Sequence, residues 1–541
     1  MLALRLLAVT LCATGLLSAA DAGAVAEAAN RLDQQAAKAP QTLALEFRLR
    51  AAQALEQRHS DLARRFVDNT LKDLRARSWK PFTIRPELVS ALTQAAPSEA
   101  AVIVPEVAPE LTEWLILELA RTNHVDAALA LYRDSFSRGR VKADAAHPLL
   151  SPLVKEKPAE AARLFQEMVA GVPFDSLIPN TAWRLLNSTR VIATVAPQLA
   201  ADTCERILAT VSAKDYGRKF AFSATFQVGS ATVETANARD SLLLAAGARL
   251  QALAPERLEK YKPLLAKWDL SAPVTVRGFR NTSGARPTSR PQSILRRMGQ
   301  MRGLPTDTDR ARLAITLAGE IRALRAGELR VNFASDLCNL STEGDLGAEA
   351  LTAVATTLGL ALRKTRGGTS DYLELASLAR YEHVPVSLSD PAYDTAVALL
   401  ELREQLLQET GFTLAALDGQ TYHLDALRGR VVLLNFWATW CPPCRREMPD
   451  MEKLYQRFAQ KGLLVLAVSD EERDTVTGFL AKQNYTFPVL LDPGRKVHSA
   501  FNVEGIPKSF LFDRGGKLVA QAIDMRTEAQ FLAMLKQAGL E

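Results

Sequence analysis

Cysteine is scarce in this chain of 541 residues, with five in all, too few for a fold stapled together by disulfides. Histidine is also thin: His59, His124, His147 and His383 are scattered among helical segments without ligand-like spacing, so they read as surface or capping residues. Aromatic residues make up 6% while Ala and Leu abound, a balance that favours helix over sheet. Charge of one sign is lacking, since 66 Lys and Arg face 60 Asp and Glu and leave +6 on a large surface. Without an interleaved basic and aromatic stripe, nucleic acid is not an expected partner. No apolar run beyond the N-terminus approaches the ~20 residues that a membrane span needs. The length exceeds one hydrophobic core and suggests about three or four domains.

The N-terminus carries an address. Arg5, the apolar stretch Leu6–Leu17 and the small residues up to Ala22 have the charged start, short apolar core and small-residue exit of a secretory signal peptide. Residues 1–22 are therefore expected to be removed on export, leaving a soluble periplasmic protein. Cys12 follows Leu11 inside the apolar core, where a lipoprotein signal would want a small residue. Four cysteines then remain. An oxidising compartment allows Cys204 and Cys338 to pair, although two separate buried thiols fit equally well.

Residues 23–270 and 293–407 read as helical. Leu43–Gln57, Leu62–Ala76, Ala159–Ala170, Ser241–Leu253, Ala311–Arg325, Ala348–Arg363 and Tyr393–Leu407 carry apolar residues at helical spacing. Glu110–Arg121 and Val125–Phe136, separated by Thr122-Asn123-His124, resemble a tetratricopeptide-type pair. No fixed period recurs, so the expectation is an all-α region of irregular helix pairs. Phe220–Thr235 alternates instead and reads as an isolated hairpin. Residues 271–292, with Pro273, Pro287, Pro291, Gly278 and Gly284 and the unopposed Arg277, Arg280, Arg286 and Arg290, read as a basic linker. Such a segment is either a solvated loop or a contact for an acidic partner or membrane surface.

From residue 408 to 541 the pattern becomes α/β. Two short strands flank Asp418-Gly419, and Val431–Phe436 is a continuous apolar run, as expected of a strand buried on both faces. It ends at Trp437-Ala438-Thr439-Trp440-Cys441-Pro442-Pro443-Cys444, and a helix follows over Arg445–Gln460. Strands at Leu463–Val468, Val489–Asp492, Ser509–Asp513 and Lys517–Ile523 and helices at Asp474–Gln483 and Thr527–Ala538 complete the domain. Cys441 sits where strand becomes helix, so unpaired N–H groups and the positive end of the helix dipole stabilise its thiolate. It is expected to be the exposed nucleophile, with Cys444, one turn on, resolving the mixed disulfide. Pro442 and Pro443 stiffen the turn. Neither a second CxxC nor a paired His motif stands nearby to complete a zinc site, and no cofactor is expected.

The run Val431–Pro449 (VVLLNFWATWCPPCRREMP), with Phe501–Val519 downstream, resembles the TlpA/ResA branch of thioredoxin-like proteins within the redoxin (AhpC/TSA) superfamily. The resemblance covers only the C-terminal domain. It implies a thioredoxin fold and an exported thiol–disulfide oxidoreductase that reduces protein disulfides, including those of apocytochromes c, with electrons from a membrane donor of the DsbD/CcdA type. By motif, Cys441 is the attacking and Cys444 the resolving cysteine, and Pro507, after Ile506, is the cis-proline facing them. Trp440, Pro442, Pro443, Ile506 and Pro507 then border the substrate, and Pro449 is the proline that kinks the active-site helix. Asn435 stands where ordinary thioredoxins carry a buried Asp. Glu447 matches the glutamate near the cysteine pair and is expected to handle the proton, the alternative being a surface ion pair. Ala438 and Leu434 occupy the positions where a peroxidase would carry Thr and Pro. Two other readings remain: a helical scaffold that binds a protein partner and carries an accessory redox domain, and an oxidase or isomerase using the same pair in reverse.

Overall fold

The computed structural model describes residues 23–541 except 215, 217–221, 236, 282–289, 302, 326–336, 338–346, 366–367, 382–383, 385, 387, 409–410, 502, 504 and 524. The segment 1–22 expected to be a signal peptide, Cys338 and His383 lie outside the described residues. Among the described residues, no helix is long and apolar enough to cross a membrane. A helical N-terminal region is followed by a C-terminal thioredoxin fold, but the two compact units cut across that order. One is the chain up to Thr70 together with Thr288–Glu541, and the other is Leu71–Pro287.

In the unit Leu71–Pro287, proline sets many helix starts. Helices Pro86–Ala95, Pro97–Val107, Pro158–Ala170, Pro179–Ile192 and Pro197–Ser212 each open on one, where its fixed φ suits the first turn and its missing N–H costs nothing. Helices Thr112–Arg121 and Val125–Ser137 form the expected pair. Asn123 takes a left-handed φ of 65° between them, so the His124 N–H reaches the Leu119 carbonyl at 2.8 Å and closes the first helix. Cys204, on Pro197–Ser212, is a free buried thiol, and burial pushes its pKa up to about 11.

Two details of this largely helical region differ from the sequence reading. The alternating segment is not an isolated hairpin but one part of a three-stranded antiparallel sheet. Strands β1 (Phe222–Val228) and β2 (Ala231–Glu234) form the hairpin, and β3 (Val274–Asn281) comes from the supposed linker 271–292. The same segment also reaches into helix Arg290–Met301. Val274, Val276 and Phe279 supply strand character that the surrounding Arg, Gly and Pro obscure. Opposite Thr225 and Phe226 the partners are Gly278 and Val276, leaving Arg277 as the extra residue of a bulge on an edge strand.

The thioredoxin fold lies in the other unit. A small hairpin, β4 (Thr413–Ala415) and β5 (Thr421–His423), turns at Gly419, whose φ of 88° suits a residue without a side chain. Beyond it, a five-stranded sheet has the order β10-β9-β6-β7-β8. Strand β6 (Val431–Phe436) is central, parallel to β7 (Leu463–Ser469) and antiparallel to β9 (Lys508–Phe512). Strands β8 (Val489–Leu491) and β10 (Leu518–Ile523) are the edges. All residues of β6 and β7 are buried, as continuous apolar runs require.

Alternation along β6 divides the core in two. Val431 and Leu433 face Met448, Met451, Leu454 and Phe458 of helix Pro442–Phe458 and Phe531 and Leu535 of helix Glu528–Gln537. Val432, Leu434 and Phe436 face Phe412, Tyr422, Phe501 and Leu407, the last from helix Pro391–Gln408. Helix Lys496–Ala500, absent from the sequence reading, is anchored by Asp492, which accepts the N–H groups of Val497 and His498 at 2.9 Å each. His498 lies edge-on to Phe436, and its burial holds the imidazole below its ordinary pKa although Asp492, 2.8 Å from Nδ1, pulls the other way.

The helices of this unit are tied to one another by polar contacts. Thr369 donates to Glu46 at 3.0 Å, Arg31 pairs with Glu401 at 3.3 Å, and Tyr372 donates to Asp390 at 3.1 Å. Because Leu407 belongs to the sheet's second core, helix Pro391–Gln408 should stabilise the domain by burying apolar side chains, at about 1.5–3 kcal/mol per leucine. A fragment beginning at Pro391 is therefore expected to be about 2–5 kcal/mol more stable than one beginning at Gly411, with both folded. Urea denaturation of the two checks this, and coincident midpoints would show that the helix adds nothing.

Candidate active site

Strand β6 enters the site and helix Pro442–Phe458 leaves it. The end of β6 is fixed by its neighbour, for the Trp437 N–H donates to the Val468 carbonyl at 3.0 Å. A turn follows, closed by the Cys441 N–H on the Ala438 carbonyl at 3.1 Å, and the helix starts at Pro442 and Pro443, both in its first turn. Cys441 is thus the N-cap, with the Cys444 N–H 3.3 Å from its sulfur. Cys441 and Cys444 are joined as a disulfide.

The exposure of the sulfurs departs from expectation. Cys441 is only 2% exposed, and Cys444 is fully buried. The cover comes from the cis Ile506–Pro507 bond, whose Ile506 carbonyl oxygen lies 3.8 Å from Cys441 Sγ. Trp440, at 68% exposure, and the exposed Pro442 stand at the rim. The structure therefore brings together Trp440, Cys441, Pro442, Cys444, Ile506 and Pro507. Pro449 lies inside the helix without ending it, one turn beyond Arg445, whose carbonyl lacks the N–H that Pro449 cannot supply.

Beneath the pair is a polar cluster. Glu447 is buried (1% exposed), so the alternative of a surface ion pair does not hold. Its Oε1 accepts from Asn435 Nδ2 at 2.8 Å, and its Oε2 accepts the Arg526 N–H at 3.0 Å. Asn435 Nδ2 also donates to Ser509 Oγ at 2.9 Å, while Asn435 Oδ1 has no partner among the described residues. A buried carboxylate persists only when hydrogen-bonded, and these contacts supply that. Sequence reasoning missed Ser509 and the Arg526 backbone. Ser509 interrupts the apolar strand β9 directly opposite Asn435, which is the signal that could have found it. Arg526 precedes helix Glu528–Gln537 and has no such signal.

The C-terminal domain is similar in sequence to known proteins. Residues 408–521 match the AhpC/TSA family. The thiol-disulfide oxidoreductase ResA of Bacillus thuringiensis (strain Al Hakam) is 39% identical over 127 residues, which are 23% of this chain and 73% of that protein. ResA of Halalkalibacterium halodurans is 34% identical over 157 residues, 28% of this chain and 89% of that protein. Among solved structures, a thiol:disulfide interchange protein of the thioredoxin family from Chlorobium tepidum TLS is 30% identical, covering 24% of this chain and 92% of that one at a TM-score of 0.23. Through its C-terminal domain, the chain belongs to the ResA-type thiol–disulfide oxidoreductases of the AhpC/TSA family.

Proposed function

We propose that this protein is exported and reduces protein disulfides in the periplasm, with Cys441 attacking and Cys444 resolving. The observation that carries the reading is the placement of Cys441, N-cap of helix Pro442–Phe458, with the Cys444 N–H on its sulfur and the cis Ile506–Pro507 bond beside it. In the dithiol form the same N–H and the positive helix end favour a Cys441 thiolate. That thiolate attacks one sulfur of the substrate disulfide, forming a mixed disulfide and releasing the other sulfur as a thiolate. Cys444, as its thiolate, then attacks Cys441 Sγ, which closes the Cys441–Cys444 bond and frees the second substrate sulfur. Two electrons pass to the substrate, and a donor of the DsbD/CcdA type would return them. The N-terminal segment 1–22 supports export, and the ResA relationship supports apocytochromes c as one substrate class.

Trp440, Pro442, Pro443 and Ile506 are the residues assigned to substrate contact, with cis Pro507 shaping the strand beside them. Glu447 is assigned the proton that Cys444 must lose. Asn435 cannot accept a proton as an Asp would, and its amide instead holds the Glu447 carboxylate one helical turn beyond Cys444.

The direction of electron flow is tested by equilibrating the protein with glutathione. A reduction potential well below that of glutathione is expected, and one near the roughly −120 mV of strong oxidants would overturn the reading. The sulfur roles have their own test. Cys444→Ser should accumulate mixed disulfides through Cys441 while Cys441→Ser accumulates none. Faster labelling of Cys444 than of Cys441 by iodoacetamide at neutral pH would reverse the assignment. For Glu447, a charged carboxylate near the sulfurs raises their pKa. Glu447→Gln should therefore keep the fold, lower the apparent pKa of the reactive thiol and slow exchange roughly tenfold or more. Superimposed pH–rate profiles from about pH 5 to 9 would remove Glu447 from the mechanism.

A further inference from the structure

Past Trp437, strand β6 has no further backbone pairing to β7, yet the next four residues must place both Trp440 and Cys441. Thr439 is the second residue of the turn Ala438–Cys441, and the turn itself gives its N–H no acceptor. The acceptor comes from the loop after β7. Glu471 Oε2 accepts the Thr439 N–H at 2.6 Å, and Glu471 Oε1 accepts the Thr439 hydroxyl at 2.7 Å. Glu471 is held in turn by Ser469, the fully buried last residue of β7. The Glu471 N–H donates to Ser469 Oγ, and the Ser469 hydroxyl donates to Glu471 Oε2, both at 3.3 Å.

A plain surface charge would look different. Among the described residues, no basic side chain forms an ion pair with Glu471, and the nearby Arg495 pairs with Asp470 instead. The carboxylate is engaged by Thr439 and Ser469. From these contacts we propose that Glu471 is a positioning residue for thiol–disulfide exchange, clamping the turn that presents Trp440 and Cys441 to a substrate disulfide.

Exchange requires three sulfurs in line, and misplacement of a reacting group by about 1 Å can cost roughly a hundredfold in rate. Cys441 therefore has a support on each side: the Ile506 carbonyl across from it and the Thr439–Glu471 contact behind its turn. The second support ties the site to the end of β7, continuing by side chain the register that Trp437 and Val468 hold by backbone. The proposal rests on Cys441 being the attacking thiol, which iodoacetamide labelling of the unmodified protein tests separately.

The experiment compares full-length protein with Glu471→Ala, Glu471→Gln and Thr439→Val, each checked for unchanged thermal unfolding. Both Glu471 variants remove the charge, but only Gln can still accept the Thr439 N–H. Insulin reduction is expected to slow about tenfold in Glu471→Ala, about threefold in Thr439→Val and less than threefold in Glu471→Gln. Iodoacetamide alkylation of Cys441, which needs no alignment with a partner surface, should change less than threefold in all. Insulin reduction at the wild-type rate in Glu471→Ala would overturn the proposal. So would a Glu471→Gln protein as slow as Glu471→Ala, because the loss would then follow charge and not position. If Glu471→Ala does not fold, Thr439→Val decides, and a wild-type rate there overturns the clamp.

Discussion

A strand buried on both faces must hand its last residues to a helix without losing register, and the chemistry sits on that junction. Strand β6 lies between β7 and β9, so its direction and height are fixed by hydrogen bonds on both edges. Helix Pro442–Phe458 is pressed onto the sheet by Met448, Met451, Leu454 and Phe458. Between them, residues 437–441 have little freedom, and Cys441 is left at the one end of the helix where backbone N–H groups lack intrahelical acceptors. A sulfur placed there meets N–H donors and a favourable dipole without any charged side chain.

The polar cluster below follows from the same packing. Asn435 belongs by parity to the face of β6 that meets the active-site helix, as Leu433 does, so it points toward Glu447 and not toward Phe501. An ionised carboxylate at that depth would cost several kcal/mol without donors. The amide of Asn435 and the Arg526 backbone supply them, and Ser509 accepts the second amide hydrogen from the opposite strand. The amide of Asn435 thus fixes the orientation of the Glu447 carboxylate.

The helices add a different kind of constraint. Gln41–Leu55, Thr369–Tyr381 and Pro391–Gln408 belong to the same compact unit as the sheet, and Leu407 enters the core beside Phe412 and Phe501. The redox domain is consequently continuous with helical structure drawn from far away in the chain, whereas Leu71–Pro287 forms a unit with its own small sheet and an apolar cluster beneath it.

Much of this was legible in the residues themselves. The 3.6-residue spacing located helices such as Ala238–Leu253 and Gly347–Thr365 to within a few residues, because an amphipathic face is a local property. The apolar run Val431–Phe436 ending in two cysteines pointed to the redox pair, and the resemblance to the TlpA/ResA branch implied the thioredoxin fold and the place of Pro507. Helices opening on proline, among them Pro86–Ala95 and Pro197–Ser212, were passed over because proline marks a start as readily as a break. Strand β3 was hidden because an edge strand tolerates the Arg and Gly that also compose a linker. Composition and short-range periodicity therefore determined the amphipathic helices, the buried strand β6 and the cysteine pair at its end. The pairing of β3 with β1, the burial of Glu447 against Asn435 and Ser509, the cover of Ile506 over Cys441 and the reach of Glu471 to Thr439 join residues from 12 to more than 70 positions apart. Only the tertiary structure decided those, because a hydrogen bond depends on distance in space and leaves no period in the chain.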